Sequence, residues 1–208
     1  MQLPELDAVT IGGEQLPAYV TGLIVHKALE LYRGGNAEAA FATAVKEFAP
    51  GNLALQAQEL FNNYINSDLY KQLPQKRERE LHFKLATEKG LFLQGVIDCL
   101  GYEEDGSLTI VDYKTGAAPM DNEVKLSYAY QLALYKKAAE QMLEQTVNSA
   151  KLHFLQNLSV WKLPASEHDY LAEALALCEE ISSKGDESDF SCSTNGCTSV
   201  SYTHLRAH

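Results

Sequence analysis

The stretch Gly95–Gly116, GVIDCLGYEEDGSLTIVDYKTG, sets two apolar runs on either side of an acidic turn, and each run carries one aspartate, Asp98 or Asp112. Residues 91–102 and 107–114 read as strands. On the second, Leu108, Ile110, Asp112 and Lys114 share a face, so an otherwise apolar face ends in a carboxylate and an ammonium. Burying either charge alone is costly or shifts its pKa until it is neutral. Asp112 and Lys114 by themselves are satisfied as a structural ion pair. Asp98, set between Val96 and Leu100, adds a second acid and leaves an excess negative charge, for which a divalent cation is the usual remedy.

The turn decides whether the two acids cooperate. A two-residue turn at Asp105-Gly106 pairs Asp98 with Tyr113 and sends the aspartates to opposite faces. A three-residue loop, Glu104-Asp105-Gly106 with Gly106 left-handed, pairs Glu103 with Ser107 and sets Asp98 across from Asp112. Their Cβ atoms are then about 5 Å apart, suited to sharing a metal. The three-residue register is the one predicted.

Outward from this hairpin, helical spacing marks residues 19–33, closed by Gly34-Gly35, and then 37–48 and 52–66, parted by Pro50-Gly51. Residues 1–17 are turn-rich and read as a loose leader. Around Arg79 the period becomes two: Leu81, Phe83 and Leu85 alternate with Glu80, His82 and Lys84. After the hairpin come a loop from Thr115, a helix over 125–144, strands over 151–156 and 158–163, and a helix from 166 to 183 capped by Ser166. The order predicts an α/β domain around a mixed sheet flanked by helices, with an N-terminal helical segment. Within a domain spanning 18–190, residues 18–70 form the helical part, 77–163 the sheet core and 166–184 the last helix. Residues 199–208 resemble a translated sequencing adapter and are set aside, with His204 and His208.

The chain has 208 residues and a formal charge of −11, which argues against wrapping a polyanion with the whole surface. Locally the sign reverses: Lys71, Lys76, Arg77, Arg79, Lys84 and Lys89 form a basic run, read either as a solvated face or as a patch turned toward DNA. Cys99 and Cys178 sit within apolar patterns and read as buried thiols of a reducing compartment. Cys192 and Cys197 are two ligands short of a zinc site. No apolar run is long enough for a membrane helix and no signal peptide is evident, so a soluble, bacterial cytoplasmic protein is expected.

Asp98, a hairpin, then Asp112-x-Lys114 resembles the PD-(D/E)XK nuclease superfamily, and the local text resembles the nuclease domain at the C-terminal end of AddA/RecB-type helicase–nucleases. The matching pieces are Gly95-Val-Ile-Asp98, Ile110-Val-Asp-Tyr-Lys-Thr-Gly116, Gln131-Leu-Ala-Leu-Tyr135 and the upstream Gly22-Leu-Ile-Val-His26. Before Asp98 stands Val96-Ile97, where the superfamily pattern has a proline. The resemblance implies a restriction-endonuclease-like core and hydrolysis of DNA phosphodiester bonds. It implies Mg²⁺ or Mn²⁺ held by His26, Asp98, Asp112 and the Tyr113 carbonyl. Asp98, Asp112, Lys114, Gln131 and Tyr135 carry the catalytic roles. Relatives with an iron–sulfur cluster use cysteines flanking the nuclease; no cysteine precedes His26, so no cluster is expected. Glu80 is either a helper acid or a solvated surface glutamate.

The implied function is a DNA nuclease joined to a helicase domain or subunit, with a role in double-strand break repair and recombination. Two alternatives remain at this level. One is a stand-alone exonuclease of the lambda-like or CRISPR-adaptation kind, and the other is a non-catalytic DNA-binding or scaffold module.

Overall fold

A computed structural model of the chain describes residues 8–11, 14–48, 54–165, 168–184 and 206–207. They fall into two compact units: residues 1–73 with 113–118 and 153–160, and residues 74–112 with 119–152 and 161–208.

The first unit opens with a two-stranded antiparallel sheet, β1 (Ala8–Ile11) and β2 (Glu14–Pro17), where the sequence reads as a loose leader. Four helices follow: α1 (Ala18–Leu31), α2 (Ala37–Phe48), α3 (Leu55–Asn66) and the short α4 (Asp68–Lys71). Gly34 ends the first helical segment at φ +87°, a conformation that Gly adopts without Cβ strain. Asn36 starts α2 by accepting the Ala39 N–H on its side chain at 3.0 Å. The sequence reading misses α4. Ser67 creates it by taking the Tyr70 N–H on its hydroxyl while donating to the Tyr64 carbonyl. Ile24, Val25 and Ala28 of α1, Phe41 and Ala44 of α2, and Phe61 and Tyr64 of α3 make the apolar interior. The rings of Phe41 and Phe61 stack at 5.8 Å. Fully burying one of the larger of these, Ile24, Val25, Phe41 or Phe61, contributes roughly 1.5–3 kcal/mol.

The second unit contains β3 (Arg77–Ala86), β4 (Phe92–Tyr102), β5 (Leu108–Lys114), α5 (Asn122–Leu143), β6 (Val147–Phe154), β7 (Ser159–Lys162) and α6 (Tyr170–Lys184). The strands lie in the order β3-β4-β5-β6-β7. The last residues of β5 and β6 and the first of β7 group with the first unit. β3 to β5 are antiparallel neighbours. β6 runs parallel to β5: the Leu108 N–H meets the Thr146 carbonyl at one end, and the Leu155 N–H meets the Lys114 carbonyl at the other. The long connection through α5 makes that parallel pairing possible. The sheet is therefore mixed, as expected.

Several boundaries move. α5 begins at Asn122 rather than 125, because Asp121 accepts the Glu123 N–H at 2.7 Å and caps the helix. β6 begins at Val147 rather than Lys151. α6 begins at Tyr170, where Asp169 accepts the Ala172 N–H; Ser166, the expected cap, lies outside the described residues, as do Cys192 and Cys197. Arg206–Ala207, in the segment set aside as adapter-like, pair with Gln94 and Leu93 of β4 as strand β8.

Candidate active site

The β4–β5 connection takes the three-residue form. Glu103 donates its N–H to the Ser107 carbonyl at 2.9 Å, Gly106 donates to the Glu103 carbonyl at 3.1 Å, and Gly106 sits at φ +83°. Asp105 stiffens the loop by accepting the Ser107 N–H on its side chain. The ladder pairs Tyr102 with Leu108 and runs to Cys99 with Val111. Continued by one step, that register sets Asp98 opposite Asp112. Both carboxylates are buried, with 2% and 1% of their surface exposed.

A third acid extends the row. β3 and β4 pair Arg79 with Cys99 and Leu81 with Ile97, so Glu80 lies opposite Asp98. Glu80 stands at φ +50° in mid-strand, a left-handed conformation costing a non-glycine residue about 1–2 kcal/mol. Glu80 and Asp98 offer carboxylate oxygens within 4.8 Å of each other. At an effective dielectric of roughly 20, two such charges repel by about 3 kcal/mol. Strain and like charge meet at one point of the sheet, a combination that accumulates at functional sites. The period-two pattern put Glu80 on its strand; nothing in the sequence announced its backbone conformation.

α5 brings two polar side chains to this row. Gln131 Nε2 donates to Asp112 Oδ1 at 3.1 Å and to the Tyr135 hydroxyl at 2.9 Å, the reach expected of an i, i+4 pair. Tyr135 is fully buried, its ring edge-on to Phe83 at 5.6 Å. Burial first, and then the charges of Asp112, Asp98 and Glu80, push its phenol well above the ordinary value of 10. Its hydroxyl therefore stays protonated throughout the neutral range. One phenol feels all three carboxylates, which gathers Glu80, Asp98, Asp112, Gln131 and Tyr135 in the second unit.

The remaining residues group elsewhere. His26 lies half-buried on α1, its ring edge-on to that of Tyr113 at 6.1 Å. Tyr113 and Lys114 end β5, and strand alternation keeps Lys114 on the face of Asp112. Sequence reasoning missed a buried polar pair beside them: the Tyr64 hydroxyl and His153 Nδ1, hydrogen bonded at 2.8 Å. His153 lies in the buried run Leu152–Leu155, which reads as plain core.

The basic run is largely occupied. Lys71 pairs with Asp68 at 3.5 Å and Lys89 with Glu179 at 2.6 Å, and Arg77 donates to the Pro74 carbonyl. Lys76 lies over the Tyr102 ring and Lys84 over Phe92. The Lys71 and Lys89 contacts are exposed ion pairs of the kind a solvated face carries. Among the described residues Cys99 is a buried thiol outside any disulfide and Cys178 a partly covered one, and burial raises the latter's pKa. No helix of the described residues is long and apolar enough to cross a membrane.

Known proteins resemble this chain over part of its length. The chain is 31% identical over 115 residues to an ATP-dependent helicase/nuclease subunit of Thermoanaerobacter sp. (strain X514), covering 54% of this chain and 8% of that protein. It is 34% identical over 111 residues to the like-named subunit of Moorella thermoacetica, covering 53% of this chain and 6% of that one. The Bacillus velezensis counterpart is 32% identical over 120 residues, 46% of this chain and 9% of its own length. The chain thus matches less than a tenth of the length of these relatives. The PD-(D/E)XK nuclease superfamily matches residues 2–199, nearly the whole sequence. Its α/β fold with a mixed sheet is that of the restriction-endonuclease-like class, and the chain belongs to the PD-(D/E)XK nuclease superfamily.

Proposed function

We propose that this chain is a metal-dependent DNA nuclease, the nuclease part of a bacterial, cytoplasmic helicase–nuclease that acts in double-strand break repair and recombination. The observation that carries the reading is the row of acids Glu80, Asp98 and Asp112 across β3, β4 and β5, the last followed by Lys114.

The donors fit Mg²⁺ or Mn²⁺. Carboxylate oxygens and the Tyr113 carbonyl are hard ligands, and Mn²⁺ tolerates the imidazole of His26. In this reading His26, Asp98, Asp112 and Tyr113 hold the ion, and Glu80 joins them as helper acid rather than standing as a surface residue. When bound there, the ion supplies a water of lowered pKa and positive charge for the scissile phosphate. Lys114 orients that water and offsets charge developing on the phosphate. Gln131 fixes the rotamer of Asp112 and holds the Tyr135 hydroxyl, which, kept protonated, remains a donor within the acid row.

A helicase partner is supported by the names of the relatives and by the charge. With a net charge of −11 and the basic run engaged in internal contacts, the phosphates of a free duplex find few cations. A strand delivered to the site by a motor does not need them.

Incubation of the purified chain with linear single- and double-stranded DNA tests the reading. Cleavage is expected with Mg²⁺ or Mn²⁺, and is lost in EDTA and in Asp112→Ala. Cleavage that survives both chelation and the substitution overturns the assignment.

A further inference from the structure

The buried Tyr64–His153 pair lies in the first unit and has no role in the proposed chemistry. Tyr64 has no exposed surface and His153 only 2%. A core made only for stability fills such a place with Leu or Phe, because a buried hydroxyl or imidazole contributes only while its hydrogen bond persists. What a hydrogen bond adds is direction.

The direction propagates through rings. Tyr64 meets Tyr113 edge-on, centroids 5.3 Å apart and planes at 68°. The His153 ring lies 6.5 Å from that of Tyr113, its plane inclined at 62°. Tyr113 in turn meets the His26 ring at 6.1 Å and 80°. Offset and T-shaped aromatic contacts are orientation-dependent, so each ring constrains the next. The main chain is held at the same place: Leu155, two residues past His153, donates its N–H to the Lys114 carbonyl at 2.8 Å. The end of β6 thus grips the end of β5 by backbone at Lys114 and by side chain at Tyr113.

The geometry points to Tyr64 and His153 as positioning residues that set His26 and the Tyr113 peptide for metal binding, acting through the Tyr113 ring. The inference rests on the reading above, in which His26 and the Tyr113 carbonyl are ligands. Neither Tyr64 nor His153 touches the ion or the substrate. They stand to those ligands as outer partners that orient an inner set.

The test measures Mn²⁺ binding by the electron paramagnetic resonance of the free ion, with thermal melting in EDTA beside it. Tyr64→Phe, which removes only the hydroxyl, and His153→Leu are expected to weaken Mn²⁺ binding by about tenfold, the lower end of what such outer partners are worth. His153→Asn, whose side-chain amide falls near the lost Nδ1, is expected to bind Mn²⁺ nearly as the wild type does. His153→Gln, whose amide falls near Nε2, is expected to bind like His153→Leu. Unchanged Mn²⁺ binding in Tyr64→Phe and His153→Leu, with only the melting temperature lowered, overturns the inference and leaves the nuclease reading intact. Equal binding by the Asn and Gln variants overturns it too, even where Tyr64→Phe does not fold. A wild type that binds no Mn²⁺ overturns the metal reading itself, and this inference with it.

Discussion

The acid row of the second unit and the aromatic cluster of the first bury polar groups in opposite ways. Tyr64 and His153 set a hydrogen-bond donor against an acceptor at 2.8 Å. Glu80, Asp98 and Asp112 are like charges set side by side, two of them almost fully buried, with a left-handed backbone at Glu80. The first arrangement joins complementary groups, and the second gathers three acids whose excess negative charge, in the proposed reading, a cation offsets. Sites that must receive a cation hold acids at a loss until it arrives, whereas the parts that orient them do not need it. The difference predicts opposite signs for mutations of the two regions.

The sharpest break is Asp98→Asn. The substitution keeps the shape and removes one charge from the row. Activity is expected to fall by a factor of about a hundred or more, on the scale of losing a principal electrostatic contact to a reacting group. In EDTA the same variant is expected to melt higher than the wild type, by roughly 2–4 °C for each kcal/mol of repulsion relieved in a chain of this size. Calorimetry with and without Mg²⁺ checks both signs. A variant that melts lower in EDTA shows that Asp98 is a structural partner there, and the contrast between the regions fails.

Glu80→Gly separates strain from charge at the next step down. Glycine adopts φ +50° freely, so about 1–2 kcal/mol of backbone strain is released, offset by roughly 0.5–1 kcal/mol of chain entropy for glycine within a strand. Loss of the repulsion from Asp98 adds to the gain. A metal-free melting temperature above that of Glu80→Gln is expected, since glutamine removes the charge and keeps the strain. Equal melting temperatures mean that Glu80 is not strained. A glycine variant that retains full activity removes Glu80 from the proposed ligand set.

Much of this was legible because the signals were local. The alternation of Leu81, Phe83 and Leu85, the Asp105-Gly106 turn and the spacing of Gln131 from Tyr135 each follow from two or three neighbouring residues. The hairpin register followed from the same source: a left-handed Gly106 was needed to face Asp98 with Asp112. What escaped depends on distant partners. The pairing of Tyr64 with His153 spans 89 positions, and neither residue differs in type from ordinary core. The close approach behind Gly101 is of the same kind: a Cβ there would lie 2.6 Å from the Pro74 ring, a contact no local pattern encodes. The strands at residues 8–11 and 14–17 were hidden by turn-rich composition, which argues for loops until two such segments pair.

The smallest effect compares two tyrosines five residues apart on α5, one in the row and one at the surface. Tyr135 is raised chiefly by burial and by three carboxylates, whereas Tyr130 is raised to about 12 chiefly by the hydrogen bond it donates to Glu173 at 2.7 Å. Tyr102, which donates to Glu78, is likewise raised to about 12. A phenol raised in the folded state from 10 contributes stability that is fully present below pH 10 and is lost as pH rises from 10 through 12. Glu173→Gln removes the acceptor charge, so Tyr130 is expected to titrate nearer 10 by absorbance at alkaline pH, with Tyr135 unmoved. Asp98→Asn is expected to do the reverse, lowering Tyr135 and leaving Tyr130 near 12. If either substitution moves both phenols equally, the row does not act on Tyr135 as a local charge, and the electrostatic account of that hydroxyl is wrong.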